Sequence, residues 1–206
     1  MRIRNSCPQT ENLLYLIIRL KENAEGNTDH MSRITGIIAE YNPFHKGHAY
    51  HLEKARELTC ADHLIVVMSG DFVQRGAPAL FDKYLRTRMA LLEGADLVLE
   101  LPVSIACASA EYFASGAVSV LDQLGCVNAL CFGSESGDVR ALTACAKVLL
   151  EEDTAYQQQL RSLLKKGYSF PAARKSAFAA LHHPECFTEL LDPPNNILGL
   201  EYIKAP

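Results

Sequence analysis

The sequence predicts an α/β fold in which a parallel sheet carries helices on both faces. Short apolar segments alternate with longer amphipathic segments from Arg33 onward, which is the pattern of repeated strand–helix–strand units. One short segment, Leu64–Met68, is apolar throughout, as expected of a strand buried on both faces. The chain has 206 residues, of which 49% are hydrophobic and 21% charged, so it can form a domain with a substantial core.

The first part of this domain supplies three strands and two helices. Each strand is a short apolar run, and each helix repeats apolar residues three or four positions apart. A side-chain cap at Asp82 and a stop at Gly94 bound the second helix. In chain order, the predicted elements are a strand Ile34–Glu40, a helix Gly47–Cys60, a strand Leu64–Met68, the helix after Asp82 and a strand Leu97–Leu101.

The second part is mainly helical. A proline at the start of the last of these helices and another just beyond its end fit the usual placement of proline. The predicted elements are a helix Ser109–Leu124, a strand Ala129–Phe132, and helices Asp138–Glu152, Thr154–Lys166 and Pro171–His182.

Residues 1–30 differ in character and are interpreted as an N-terminal extension that is weakly ordered. Thr10 could cap a helix over Glu11–Glu22, which has four apolar residues on one face. The following segment is polar and reads as a linker. Met31 stands just before the first strong strand, so residues 31–206 are predicted to form the domain.

The composition excludes several classes of protein. No apolar run approaches the ~20 residues that span a bilayer, so we expect no membrane association. Lys+Arg 20 against Asp+Glu 24 gives a net charge of −4, which argues against one large nucleic-acid-binding surface. The seven cysteines are odd in number and scattered, which indicates reduced, buried cysteines in a cytoplasmic protein and neither disulfides nor a zinc site.

The stretch Glu40–His48, Glu-Tyr-Asn-Pro-Phe-His-Lys-Gly-His, is the most informative. Its last residues open the first helix of the domain, and a helix N-terminus suits a phosphate because of its N–H groups and partial positive charge. His45 and His48 can donate hydrogen bonds to phosphoryl oxygens, Lys46 adds charge, and Gly47 allows close backbone approach. Zinc binding by the two histidines is not favoured, because no third ligand has suitable spacing.

Three polar or glycine-rich loops follow strands and should share one crevice, because ligands of parallel sheets bind at the carboxyl ends of the strands. These loops are Tyr41–His48, Ser69–Gly76 and Gly133–Gly137. There is no Gly-x-Gly-x-x-Gly after the first strand and no phosphate-binding Gly-Lys-Ser/Thr loop, which disfavours dinucleotide-dependent oxidoreductases and P-loop enzymes.

Charged residues outside the histidine motif have two readings each. Arg75 lies on the second loop and is expected to point into the crevice. Lys83 and Arg86 begin a helix and fit either phosphate binding or a solvated face. Glu100 and Glu135 fit either ribose binding or an ion pair. A basic group with interleaved aromatic residues fits either an RNA contact or a solvated face; it comprises Arg161, Lys165, Lys166, Arg174 and Lys175.

The His-x-Gly-His turn and five further motifs closely resemble the bacterial tRNA(Met) cytidine acetate ligase family, within the HxGH nucleotidyltransferase superfamily. The resemblance runs from about Ile34 to the end of the chain. The further motifs are Met68–Gly76, Gly94–Pro102, Ala110–Ala114, Phe132–Glu135 and Pro194–Gly199.

The resemblance implies a Rossmann-like parallel sheet of the HxGH nucleotidyltransferase type, followed by C-terminal helices. It implies that ATP activates acetate as acetyl-adenylate and that the acetyl group passes to N4 of the wobble cytidine of elongator tRNA(Met). His45 and His48 would be the catalytic residues, and the metal requirement stays open. The implied ATP-binding residues are Ile38, Ala39, Glu40, Tyr41, Asn42, Pro43, Phe44, His45, Lys46, Gly47, His48, Ala49, Tyr50, His51, Gly133 and either Asn195 or Asn196.

Members of the family continue well beyond the motif at Pro194–Gly199, into a further phosphate-contacting arginine and a helical tRNA-binding region. We therefore expect this chain to be truncated relative to the family and its complete activity to be impaired. Two other functions stay open at this point. One is a small-molecule adenylyltransferase, and the other is a non-catalytic fragment that binds ATP or RNA.

Overall fold

The computed structural model describes residues 14–19, 32–151, 154–182 and 189–205. It contains a five-stranded sheet whose order is β1-β5-β2-β3-β4. Strands β2 to β5 run parallel, as the alternation of strands and helices predicts. The strands are β1 Leu14–Arg19, β2 Ile34–Ala39, β3 His63–Ser69, β4 Leu97–Leu101 and β5 Ala129–Ser134.

Eight α-helices have bounds within the described residues, and six of them fall close to the predicted bounds. Asp82 caps the second helix by accepting a hydrogen bond from the Leu85 amide at 2.9 Å, and Gly94 follows its end with φ +107°. A short third helix after Pro102 was not predicted. The helices are α1 Lys46–Thr59, α2 Lys83–Leu92, α3 Val103–Ala106, α4 Ala110–Gln123, α5 Val139–Leu150, α6 Thr154–Lys165, α7 Phe170–His182 and α8 Pro194–Lys204.

Helices cover both faces of the sheet, and strand β3 contributes to both hydrophobic clusters. Its residues Ile65 and Val67 pack in the cluster that includes α4, α5 and α8. Its residues Leu64, Val66 and Met68 pack in the other cluster, with α1 and α2. The prediction of a strand buried on both faces is therefore confirmed, and the α/β fold class with it.

The helix predicted over Glu11–Glu22 is wrong, because Leu14–Arg19 form strand β1. This strand pairs antiparallel with β5 along its whole length, from Leu14 opposite Ser134 to Arg19 opposite Ala129. Its Ile18 is buried in the core. Pairing satisfies the backbone N–H and C=O groups at the outer edge of β5. The stabilisation from this pairing outweighs the preference for a helix that a three-turn apolar periodicity indicates. The remainder of residues 1–30 lies outside the described residues.

The cysteine prediction is correct only in part. The five cysteines in the described ranges are free thiols. Burial raises the pKa of the Cys131 thiol to about 12 and that of Cys145 to about 11. Cys60 and Cys126, however, are exposed, because both lie at turns after helices. Among the residues described, no helix is both long and apolar enough to cross a bilayer.

Candidate functional site

A cavity of about 800 Å³ opens where the parallel strands end. The end of β2, the start of α1, the end of β5 and helix α8 form its walls. Most of the predicted ATP-binding residues line it, and Phe44, Lys46, Ala49 and Asn196 do not. The lining residues are Ile38, Ala39, Glu40, Tyr41, Asn42, Pro43, His45, Gly47, His48, Tyr50, His51, Gln74, Phe113, Phe132, Gly133, Asn195, Leu198 and Tyr202.

The turn between β2 and α1 is held by a buried aromatic side chain. Tyr41 has φ +50°, a conformation that residues other than glycine rarely adopt. Its ring is buried and packs edge-on against Phe44 at 4.8 Å and His48 at 4.9 Å between ring centroids. These contacts stabilise the left-handed turn and direct the chain into α1, so the aromatic pair fixes where the histidines stand.

The two histidines form a reciprocal cap at the N-terminus of α1. The Gly47 amide donates to Nδ1 of His45 at 3.1 Å, and the His45 amide donates to Nδ1 of His48 at 3.2 Å. The rings stack with their centroids 3.7 Å apart. A nitrogen that accepts a hydrogen bond carries no proton, so we infer that the neutral rings are protonated at Nε2. Each ring then offers one N–H donor to a ligand.

His48 adds little positive charge to the cavity, which agrees with the hydrogen-bonding role expected of it. Burial and the neighbouring His45 lower the pKa of His48 to about 4. Burial likewise lowers the pKa of His51 to about 4, although a hydrogen bond with the backbone of Cys131 acts to raise it. Both rings are therefore neutral at pH 7 and act as hydrogen-bonding groups. Lys46, exposed at the first position of α1, supplies the fixed charge.

The backbone at the start of α1 is also less free than predicted. The His48 amide donates to the His45 carbonyl at 2.9 Å, and the Gly47 amide is bound to the His45 ring. These two N–H groups already have acceptors within the chain. Donors that remain for an anion at this turn include the imidazole Nε2–H groups and Lys46, supported by the electrostatic field of the helix.

The second predicted loop is attached to the first turn by two hydrogen bonds. The Gln74 amide donates to the Glu40 carboxylate at 2.7 Å, and the Leu80 amide donates to Oδ1 of Asn42 at 2.7 Å. Through this attachment Gln74 reaches the cavity wall. The side chain of Arg75, predicted to point into the crevice, lies outside the described residues.

Lys83 and Arg86, at the start of α2, were predicted either to bind phosphate or to form a solvated face, and neither prediction describes both residues. The Lys83 ammonium donates to both carboxylate oxygens of Glu100, at 2.9 and 2.8 Å, and lies 3.8 Å from Asp71. It is an ion-pair partner of Glu100 and does not line the cavity. Arg86 is fully buried, so the prediction of a solvated face is wrong for it.

The end of β5 clamps the start of α8. The Glu135 carboxylate accepts hydrogen bonds from the Asn195 amide at 3.2 Å, from Asn195 Nδ2 at 2.9 Å and from the Asn196 amide at 2.9 Å. Glu135 is therefore a helix cap. Asn196 is buried, and its Oδ1 accepts from Ser134 Oγ at 2.7 Å. Asn195 lines the cavity and Asn196 does not.

Five lining residues were not among the predicted site residues: Gln74, Phe113, Phe132, Leu198 and Tyr202. Gln74, Phe132 and Leu198 lie inside sequence motifs that carry the family resemblance, so the motifs themselves could have pointed to these residues. Phe113 also lies in a motif but was assigned to the core by its helical spacing. Tyr202 had no signal beyond an apolar position on α8.

The basic group predicted as an RNA contact is divided by the structure. Lys165 and Lys166 are exposed. The Arg174 side chain is only 14% exposed and donates to the buried Glu201 at 2.7 Å, so it links α7 to α8. Lys175 pairs with Asp192. Arg174 is therefore a structural residue, and the prediction of an RNA contact there disagrees with its position.

No group of three or more His, Cys, Asp or Glu residues in the described part of the chain could hold a metal ion. The cavity lining offers hydrogen bonding by imidazoles, by three side-chain amides and by the Glu40 carboxylate, together with several aromatic rings. The ammonium of Lys46 neighbours the lining in sequence. Hydrogen-bond donors beside a fixed cation can bind a phosphorylated ligand.

Comparisons with known proteins point in the same direction. The family model described as HIGH Nucleotidyl Transferase matches residues 32–206. A tRNA(Met) cytidine acetate ligase of Acetivibrio thermocellus is 52% identical over 174 residues, which cover 84% of this chain and 42% of the relative. One of Caldicellulosiruptor bescii is 53% identical over 172 residues, with coverage of 84% and 42%. The chain thus spans less than half the length of these curated relatives.

A solved structure is similar as well. The crystal structure of Thermotoga maritima TmcAL bound with alpha-thio ATP matches with a TM-score of 0.77 and 50% sequence identity. The match covers 84% of this chain and 42% of the solved chain. The resemblance inferred from the motifs, including its start near Ile34, is confirmed by these comparisons.

Proposed function

The chain belongs to the HIGH nucleotidyl transferase family, and on that basis we propose that its cavity binds ATP and activates acetate as acetyl-adenylate. We further propose that the acetyl group is destined for N4 of the wobble cytidine of elongator tRNA(Met). The names of its relatives give a tRNA(Met) cytidine and acetate, and the finer assignment rests on the resemblance carried by the sequence motifs. Such a tRNA-modifying protein would work in the cytoplasm. The chain spans 42% of its first relatives, so each of these activities is proposed for the part that it represents.

The observation that carries the proposal is the stacked histidine pair at the start of α1. His45 and His48 line the cavity and are fixed by backbone hydrogen bonds at Nδ1. Their Nε2–H groups are the remaining donors, and phosphoryl oxygens are the acceptors that suit them. Lys46 follows His45 directly and is exposed at the first position of α1. We place the triphosphate there.

We place the nucleoside between the end of β5 and helix α8. Gly133 has no side chain to obstruct it, and Phe132 and Leu198 offer apolar contacts to a base. The Nδ2 group of Asn195 is used by Glu135, which leaves Oδ1 as an acceptor for an amino or hydroxyl group. We therefore choose Asn195 over Asn196 as the nucleotide-contacting asparagine.

The first step needs no general base, because acetate is already an anion. One acetate oxygen attacks the α-phosphorus, the bond from that phosphorus to the bridging oxygen breaks, and pyrophosphate leaves. The obstacle is the repulsion between a carboxylate and a polyanion. Positioned donors at the developing charge lower this barrier, and His45 and His48 would supply them. In the second step the cytidine amino group attacks the acetyl carbon, loses a proton to solvent, and AMP leaves.

The test is acetate-dependent exchange of labelled pyrophosphate into ATP. We expect exchange by the wild type and a loss of about a hundredfold to a thousandfold in His48→Ala, the range for removing one oxyanion-stabilising donor. The matched control is His63→Ala, because His63 is an exposed histidine at the opposite edge of the sheet; its exchange rate should equal that of the wild type.

Three outcomes would contradict the proposal. Unchanged exchange in His48→Ala would remove the histidine pair from the reaction. Pyrophosphate release with a phosphorylated small molecule in place of acetate would indicate an adenylyltransferase of small substrates. Binding of ATP by calorimetry without any exchange would indicate a non-catalytic nucleotide-binding unit.

A further inference from the structure

We propose that Arg86 is a positioning residue that joins the two loops of the ATP site into one unit. The inference rests on the proposed function, since it assumes that ATP occupies the cavity. It concerns a residue that does not line the cavity and that would act only through the backbone it holds.

The Arg86 side chain is fully buried and every nitrogen of its guanidinium is used. Nε donates to the Phe81 carbonyl at 3.0 Å. Nη1 donates to the carbonyls of Glu40 at 2.6 Å and Ser69 at 3.0 Å. Nη2 donates to the Gly70 carbonyl. The ion pairs found in the described part of the chain do not include Arg86.

Burying a guanidinium in this way is unfavourable, because the ion loses its hydration when it leaves water. Four carbonyl oxygens offset this loss by accepting from the charged group. A side chain that served only to fill space could be apolar at lower cost. The arrangement therefore indicates that the four carbonyls need to be held, and not merely that the space needs to be filled.

The four carbonyls belong to the ends of two neighbouring strands and to the entry of α2, and one of them, that of Glu40, belongs to a residue that lines the cavity. Glu40 directly precedes the left-handed turn at Tyr41, Ser69 and Gly70 end β3 and begin the second loop, and Phe81 leads into α2. The planar guanidinium thus holds the backbone at the carboxyl ends of β2 and β3 and just before α2. A lysine could not reproduce this, because its donors radiate from a single atom.

Glu40 is held from two sides, which makes it the link between Arg86 and the cavity. Its carbonyl accepts from Arg86 and its carboxylate accepts from the Gln74 amide at 2.7 Å. Both Glu40 and Gln74 line the cavity. Loss of the guanidinium would release the Glu40 backbone, and the wall formed by Glu40 and Gln74 would shift with it.

The chain contains a matched control, Arg56. Its guanidinium also donates to backbone carbonyls of three loop residues, Ala61 at 3.3 Å, Asp62 at 2.7 Å and Gly94 at 2.8 Å. These residues precede β3 and β4, so the group lies at the edge of the sheet opposite the cavity. Arg56 differs in that its side chain is 37% exposed and also pairs with Asp96 at 2.6 Å. It therefore serves as the control for losing a carbonyl-binding guanidinium at a distance from the cavity.

The experiment compares Arg86→Lys and Arg56→Lys with the wild type. We expect both variants to melt at a lower temperature. We expect Arg86→Lys alone to weaken ATP binding in calorimetry and to raise KM for ATP in pyrophosphate exchange, by about tenfold or more. Simple loss of folded protein would lower kcat and leave KM unchanged, so the split between KM and kcat separates positioning from stability.

Wild-type dissociation constant and KM in folded Arg86→Lys would overturn the inference while leaving the proposed function intact. Absence of ATP binding by the wild type would overturn both. If Arg86→Lys does not fold, amide hydrogen exchange of the wild type decides. Slowing of the Gln74 and Leu80 amides on addition of ATP supports one unit, and slowing confined to the turn at Tyr41–His48 overturns it.

Discussion

Replacing Gly47 by alanine should separate the ligand-binding role of the helix start from its contribution to stability. Gly47 occupies the second position of α1, and a Cβ built on it would lie 3.0 Å from Cε1 and 3.1 Å from Nδ1 of His45. Both distances are shorter than ordinary van der Waals contact, so the His45 ring must move by a few tenths of an ångström. The ring stacked on it, His48, is 3.7 Å away between centroids and must respond.

The effect on stability should be small because two terms oppose each other. Alanine gains at most ~1 kcal/mol over glycine in a helix. Weakening the cap that His45 makes with the Gly47 amide costs ~1 kcal/mol. The free energy of unfolding should therefore stay within ~1 kcal/mol of the wild type. A hydrogen bond to a charged ligand is worth ~1.5–3 kcal/mol, so losing the Nε2–H contact of His45 should weaken ATP binding about tenfold to a hundredfold.

The assay pairs calorimetric titration with ATP and urea unfolding of the same sample. Glu53→Ala, at an exposed position of α1, is the control for a substitution in this helix and should leave ATP affinity unchanged. An ATP affinity of Gly47→Ala within a factor of about two of the wild type would refute the reasoning, since the His45 ring would then not be a phosphate donor. A large fall in the free energy of unfolding of Gly47→Ala would show that the gain in helix propensity does not offset the weakened cap.

Three further substitutions test the wall formed by α8 and the charge state of the site. Asn195→Ala should weaken ATP binding with little loss of stability, whereas Asn196→Ala should cost ~1–3 kcal/mol of unfolding free energy because Ser134 Oγ loses its buried acceptor; calorimetry and urea unfolding check both, and the reverse assignment would contradict the choice of Asn195. The pKa of His48 is lowered from 6.5 to about 4, so the unfolded state takes up its proton first and stability should fall as the pH drops through that interval. After discounting for partial exposure, His48 should account for ~1–2 kcal/mol of that fall, which His48→Gln should remove; parallel pH dependences of the two proteins would contradict the shift.

Much of the sheet could be predicted because its signals are local. Each parallel strand is a short apolar run between turn residues, and the helix after Asp82 has a side-chain cap and a glycine stop in the sequence. The histidine turn was also recognisable, because the two rings need only a strand, a proline and a helix start to be placed. Strand β1 could not be found in this way, since Leu14–Arg19 become a strand only by pairing with β5.

The parts of the site that sequence reasoning missed depend on contacts between distant segments. Arg86 begins a helix and resembles a surface residue until its four carbonyl partners, up to 46 positions away, are known. The sequence left two roles for Glu135, ribose binding or an ion pair, but the structure shows that it caps α8, which begins about 60 positions further along the chain. The protonation of the histidine rings likewise follows from which backbone N–H groups reach their Nδ1 atoms, and this cannot be read from a spacing.

The most direct test of the account is nitrogen-15 NMR of the His45 and His48 imidazoles with and without a non-hydrolysable ATP analogue at pH 7. The account predicts neutral rings protonated at Nε2 in the free protein and a shift of both Nε2 resonances on saturation with the analogue. Rings protonated at Nδ1, or Nε2 resonances that do not move while the analogue binds, would contradict the claim that this histidine pair holds the phosphates.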